Sequence, residues 1–135
     1  RVVGVVHAGW NGTLRLIAKK TVMVFRKHFG SSSEDILAGI GPSIGPCCFQ
    51  VGPEVICQVK DVFGTEQDYI RNKSADGRGY FDLWAANMKQ LVGAGIPEEN
   101  IELPKVCTCD HVDLFFSHRC EKGRTGRFGA GISMR

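Results

Sequence analysis

The chain has 135 residues, 43% of them hydrophobic and 23% charged, a composition that supports a globular core without staples. Its net charge of +3 comes from 17 Lys and Arg set against 14 Asp and Glu. Those charges are scattered along the chain, which argues against nucleic acid or a membrane surface as the partner. No apolar run approaches the roughly 18 residues of a membrane span, and no charged segment leads into a signal-like apolar stretch, so a cytoplasmic protein is expected.

In chain order, Val2 to Ala8 is Val-rich and short and reads as a buried strand ending in the small-residue turn Ala8-Gly9. It follows Arg1 with no methionine, like a strand cut from a longer protein. Leu14, Ile17, Ala18, Thr21, Val24, Phe25 and His28 keep helical spacing from about Asn11 to His28, with Asn11 or Thr13 as the cap and Gly30 as the stop. Asp35 to Ile40 predicts a second buried strand, running into the rigid loop Gly41-Pro42-Ser43-Ile44-Gly45-Pro46.

Pro53 opens a short helix through Val55, Ile56, Val59 and Phe63, and 64–78 reads as loop. Gly79-Tyr80-Phe81 predicts a brief strand, after which Asp82 caps a helix carrying Leu83, Trp84, Met88, Leu91 and Val92 until Gly93 and Gly95 end it. A strand near Ile101 to Leu103 and a closing strand from Phe128 to Met134 complete the reading. The alternation predicts an α+β (mixed α/β) fold, one layer-type domain with a mixed sheet and flanking helices, without repeats or an internal boundary.

Chemistry-bearing residues cluster in three places. His7 stands where an apolar strand breaks into Ala8-Gly9-Trp10, where a cleft forms at a sheet end and the Trp10 indole can wall a flat ligand. The second cluster, 39–49, packs Gly and Pro so densely that its backbone path must be special, yet it lacks the Gly-Lys-Ser/Thr ending of a phosphate loop. The third runs from Cys107-Thr108-Cys109-Asp110-His111 through Ser117-His118-Arg119-Cys120 to Arg124 and Arg127.

Cys107 and Cys109 lie too close for the Cys-x2-4-Cys spacing of a structural zinc site. The six cysteines, Cys47, Cys48, Cys57, Cys107, Cys109 and Cys120, are expected as free thiols or metal ligands. Arg119, Arg124 and Arg127 offer bidentate contacts to an anion such as phosphate.

Taken together, His7-Ala8-Gly9-Trp10, Ile40 to Cys48, Cys107-Thr108, Phe115 to Arg119 and Thr125-Gly126-Arg127 resemble the laccase-domain family, labelled polyphenol oxidase, in order and across nearly the whole chain. The resemblance implies a zinc-dependent enzyme that phosphorolyses purine nucleosides (adenosine, inosine, guanosine, methylthioadenosine) to base and ribose 1-phosphate and also deaminates adenosine. It implies His7 as a zinc ligand and catalytic residue. Trp10, Gly41, Pro42, Cys107, Ser117, His118, Arg119 and Arg127 would line the substrate site.

The family's other two ligands, a His and a Cys, lie upstream of the block that matches His7 to Trp10. Residues 1–135 therefore read as the carboxy-terminal part of one such domain. Asn11 and Cys120-Glu121 depart from the family's usual basic residue and Arg-Asp, which weakens the expected anion contacts. Copper oxidation is a poor reading, since multicopper sites draw on many His, commonly in His-x-His pairs, and this chain has four His and no such pair. Two other classes fit the residues: a metal-independent Cys/His hydrolase using Cys107 or Cys47, and an inactive binding module.

Overall fold

The computed structural model describes residues 1–134, which form two compact units with mixed α/β structure. The first unit gathers Arg1–Ile40, Asn87–Leu103 and the residues from Gly129; the second gathers Gly41–Ala86 and Pro104–Phe128.

In the first unit, Val2 to Ala8 is not a strand. It has no ladder partner among the described residues, and Val3, Val5 and Val6 remain exposed. A β-prone run becomes a strand only where a neighbour takes up its amides and carbonyls.

The helix expected over Asn11 to His28 is two helices, α1 (Trp10–Leu14) and α2 (Ile17–Phe29). Leu16 separates them with a left-handed backbone, φ 58, a conformation that costs a side-chain-bearing residue roughly 1–2 kcal/mol. The kink is held on both sides: the Leu16 N–H donates to the Thr13 carbonyl at 3.0 Å, and the Leu16 carbonyl accepts from the Lys20 N–H at 2.9 Å. Neither Asn11 nor Thr13 caps α1. Gly9 takes the cap position without a side-chain bond, and the Thr13 hydroxyl donates back to the Ala8 carbonyl at 3.1 Å.

Gly30 ends α2 as expected, left-handed at φ 65. The face of α2 that is buried carries Ala18 and Val22, an i, i+4 pair, while Val24 and His28 point to solvent.

Strand β1 (Ala38–Gly39) pairs in parallel with β5 (Ile101–Glu102), in register Ala38 to Ile101. The core of this unit is Ala18, Val22, Leu91, Ala94, Ile96 and Ile101, with Ile36, Ala38, Ile40 and Met88 packed on it. Two buried amides brace α1. The Asn87 amide donates to the Thr13 hydroxyl at 3.0 Å, and Gln90 donates to the Thr13 carbonyl at 2.9 Å. Each satisfied bond avoids the 1–3 kcal/mol that an orphaned buried polar group would cost, by order of magnitude about that much. The closing strand expected over Phe128 to Met134 does not form; these residues are exposed and outside any ladder, for want of a partner strand.

In the second unit, β2 (Gln50–Val51), β4 (Gly79–Phe81) and β3 (Ile70–Arg71) form an antiparallel sheet in the order β2-β4-β3. Helix α3 (Pro53–Phe63) opens on Pro53 as expected and packs Val55, Ile56 and Val59 inward. Helix α4 (Leu83–Gly93) has its residues to Ala86 in this unit and those from Asn87 in the first; it opens at Asp82, whose carboxylate accepts the Ala85 N–H at 2.9 Å and pairs with Arg71 at 3.3 Å. Asp82 thus fills the cap role its position suggested, and its second oxygen ties β3 to the helix start. Strands β2 and β3 escaped the sequence reading because two residues carry no period.

Phe81 and Val59 are the centre of this unit at 0% exposure. Truncating Phe81 to Ala should cost about 3–5 kcal/mol, as large-to-small changes at fully packed aromatic positions do. Urea denaturation of the full-length protein checks this, and a loss under about 1 kcal/mol would show that Phe81 is not packed as described.

Candidate functional site

His7 and Trp10 belong to the first unit. His7 is exposed, and its imidazole folds back over the next turn: a Cβ on Gly9 would sit 2.8 Å from its Nε2. That nitrogen is the free end of an exposed, flexible side chain, so a larger residue at position 9 would be met by the imidazole swinging aside. Trp10 begins α1 and is 39% exposed, so its indole presents a face to solvent. Among the described residues, no group of three or more Cys, His, Asp or Glu within ligating reach includes His7. His7 by itself does not make a zinc site.

The remaining residues singled out in the sequence lie in the second unit. Gly41 is exposed and Pro42 half-buried; they lead into the Gly/Pro loop, which the structure holds at Ser43. Ser43 forms a parallel bridge with Cys107. The Ser43 N–H donates to Val106 at 3.2 Å, and the Ser43 carbonyl accepts from the Thr108 N–H at 3.1 Å. Its hydroxyl accepts the Trp84 indole N–H at 2.7 Å. Gly45 is buried against that indole, where a Cβ would come 2.6 Å from the ring. The loop's glycine is therefore a close-approach glycine, not a phosphate-binding one.

Cys107 is buried, and its sulfur accepts the Gly45 N–H at 3.2 Å. Cys109 follows within the turn at 108–110 and forms a disulfide with Cys120. That pairing corrects the expectation of free thiols for these two, since the turns after Cys109 bring the chain back upon itself. Cys47, Cys48, Cys57 and Cys107 are free.

A further group escaped the sequence reading because its members are some sixty residues apart. Cys47 donates to one oxygen of Asp110 at 3.1 Å and Cys48 to the other at 3.2 Å. With Cys107, their ligand atoms all lie within 4.8 Å of one another. This three-cysteine, one-aspartate group can hold a metal ion. Desolvation, then the Asp110 carboxylate, pushes the Cys47 thiol well up and the Cys48 thiol to about 11. The Cys47 and then Cys48 thiols hold Asp110 below the usual carboxylate range. A thiol kept protonated in this way is a poor nucleophile, which works against Cys47 as the attacking group of a hydrolase.

Ser117 is buried, while His118, Arg119 and Arg127 are exposed. Arg119 does not hang free: its Nη1 donates to the Gln50 carbonyl at 2.6 Å, and its guanidinium lies 4.9 Å from the centre of the Phe49 ring. Arg127 donates to the Gly126 carbonyl at 2.9 Å. A guanidinium has five N–H donors, so a fork anchored by one of them can still present others to an anion. Glu121 closes this segment by accepting the Ser117 N–H at 2.7 Å and the Thr125 hydroxyl.

Comparison with known proteins bears on what these residues are for. Over residues 1–135 the chain matches the family described as multi-copper polyphenol oxidoreductase laccase, and it belongs to that family. It is 40% identical over 131 residues to a protein of Bacteroides thetaiotaomicron named purine nucleoside phosphorylase, covering 96% of this chain and 48% of that one. It is 39% identical to a protein named adenosine deaminase from an unknown prokaryotic organism, covering 92% and 48%. A crystal structure of the Bacillus licheniformis protein YfiH superposes with a TM-score of 0.83 at 39% identity, covering 89% of this chain and 45% of that one. The chain spans about half the length of the curated relatives it matches.

Glu121 gives the segment from Ser117 to Thr125 a built-in pH response. The Thr125 hydroxyl, then the Ser117 N–H, lowers its pKa from an ordinary 4.5. A depressed carboxylate contributes order above its ordinary value and loses it as pH falls through the lowered one. The Ser117 amide resonance, followed by NMR, should therefore hold steady at neutral pH and shift only below about pH 4.5, and the shift should vanish in Glu121→Gln. An amide that titrates identically in the variant would contradict this role.

Proposed function

We propose that this chain is the carboxy-terminal part of a longer zinc-dependent enzyme that cleaves purine nucleosides with phosphate and also deaminates adenosine. The observation that carries the reading is the 40% identity, over nearly the whole chain, to a relative named purine nucleoside phosphorylase; the relative named adenosine deaminase supports the second activity. Adenosine, inosine, guanosine and methylthioadenosine are the proposed substrates, with no role for nucleic acid or membrane. No helix among the described residues is long and apolar enough to cross a membrane.

In phosphorolysis, a phosphate oxygen forms a bond to the anomeric carbon of the ribose while the bond from that carbon to the purine nitrogen breaks. The electron pair leaves with the base, which takes up a proton; the products are free purine and ribose 1-phosphate. Deamination adds water at the amino-bearing ring carbon and expels ammonia.

The residues described here contribute positioning and charge. Trp10 offers an exposed flat face for a purine. Arg119, held in one orientation by Gln50 and Phe49, and Arg127 offer charged N–H groups to phosphate or ribose oxygens. Gly41 and Pro42 lead into the clamped loop, Cys107 lies against that loop at Gly45, and Ser117 and His118 directly precede Arg119 in the chain. Zinc at His7 belongs to this proposal and requires ligands beyond these residues.

The test uses the full-length protein with adenosine or inosine and phosphate, following base and ribose 1-phosphate by chromatography. His7→Ala should lower turnover by at least about 100-fold, beyond what changes outside the ligand sphere cost. Arg127→Ala should raise KM for phosphate about tenfold with a smaller effect on kcat, the pattern of a lost ground-state contact. Full activity in His7→Ala, or turnover independent of phosphate, would overturn the proposal.

A further inference from the structure

We infer that Cys47, Cys48, Cys107 and Asp110 form a second metal site, built without His7, that binds a thiophilic divalent cation of the zinc type and ties the Gly/Pro loop to the segment following Val106. The donor set is three sulfurs and one carboxylate oxygen, within 4.8 Å of one another. A tetrahedral zinc with Zn–S near 2.3 Å places neighbouring sulfurs about 3.8 Å apart, so each pair of donors has to close by about 1 Å at most.

Two features distinguish this group from a chance meeting of cysteines. The first is the turn at 46–48. On an extended segment the consecutive side chains of Cys47 and Cys48 would face opposite ways, yet both reach the same carboxylate, one to each oxygen. The turn that converges them is held by the Gly45 carbonyl, which accepts the N–H groups of Cys48 at 3.1 Å and Phe49 at 3.0 Å. The second is the Gly45 N–H donated to the Cys107 sulfur at 3.2 Å. Backbone N–H groups aimed at a sulfur stabilise it as a thiolate ligand and fix its direction, the role that partners outside the ligand sphere play at metal centres. A side chain at Gly45 would collide with Trp84, so glycine lets the backbone pass this close to the indole.

Four protein ligands close a tetrahedral ion and leave no position for substrate, the arrangement of structural zinc and not of catalytic zinc. Binding releases the three thiol protons to solvent, with no change of oxidation state. The ion would join two chain segments some sixty residues apart beside the Ser43–Cys107 bridge, and so would stabilise the loop that leads from Gly41 and Pro42.

The test measures metal, not turnover, so its failure is separable from failure of the phosphorylase proposal. Full-length protein purified under reducing conditions is loaded with zinc and analysed as wild type, His7→Ala and His7→Ala with Cys47→Ser and Cys48→Ser. His7→Ala should retain close to one equivalent, and the triple variant should lose it. Should that variant fail to fold, cobalt loading of His7→Ala decides: intense sulfur-to-cobalt charge-transfer absorption with tetrahedral d–d bands is expected. Asp110→Asn should release zinc to a chromogenic chelator faster by about tenfold or more. Unchanged zinc in the triple variant, or cobalt spectra without sulfur bands, would each overturn the site.

Discussion

The second unit depends on how Ser43 is held. Its backbone exchanges hydrogen bonds with Val106 and Thr108, while its hydroxyl takes the Trp84 indole N–H at 2.7 Å. One residue thereby joins the Gly/Pro loop, the start of α4 and the 106–108 segment. A loop with so many Gly and Pro residues has little regular hydrogen bonding of its own, so its conformation is set by what grips it. Burying Gly45 beneath the same indole extends the grip by two residues and places an N–H on Cys107.

From that anchor the remaining polar groups of the unit follow in sequence. The turn after Gly45 delivers Cys47 and Cys48 to Asp110, and Phe49 comes to lie under the Arg119 guanidinium. The Gln50 carbonyl, at the first residue of β2, completes the hold on Arg119. The Cys109–Cys120 disulfide closes the intervening segment. In this segment Arg119 is positioned by backbone and ring, with no ion pair among the described residues, and its further N–H donors stay available to an anion.

Much of this was legible in the residues, and the remainder was illegible for identifiable reasons. Pro53, Asp82 and Gly30 each announced a helix boundary, because a fixed φ, a capping carboxylate and a left-handed stop act locally. The motif blocks around His7, Gly41, Cys107 and Arg119 were enough to identify the family that the comparison establishes. Leu16 was illegible: apolar spacing runs through it unbroken, and only the backbone reveals the left-handed kink. Val2 to Ala8 misled because strand propensity describes willingness to pair, and pairing needs a partner. The Cys47, Cys48, Cys107 and Asp110 group could not be read from spacing at all, since the fold alone brings its members together.

The central claim, that Ser43 and Gly45 are gripped by the segment around Cys107, is tested most directly by amide hydrogen exchange on the full-length protein. Three amides report it: Ser43 N–H on Val106, Thr108 N–H on Ser43, and Gly45 N–H on the Cys107 sulfur. The account predicts that all three are protected to a common degree, close to that of the β4 amides, because they open only with the unit as a whole. Exchange of Ser43 and Gly45 at the rate of an unstructured loop, while β4 stays protected, would contradict it.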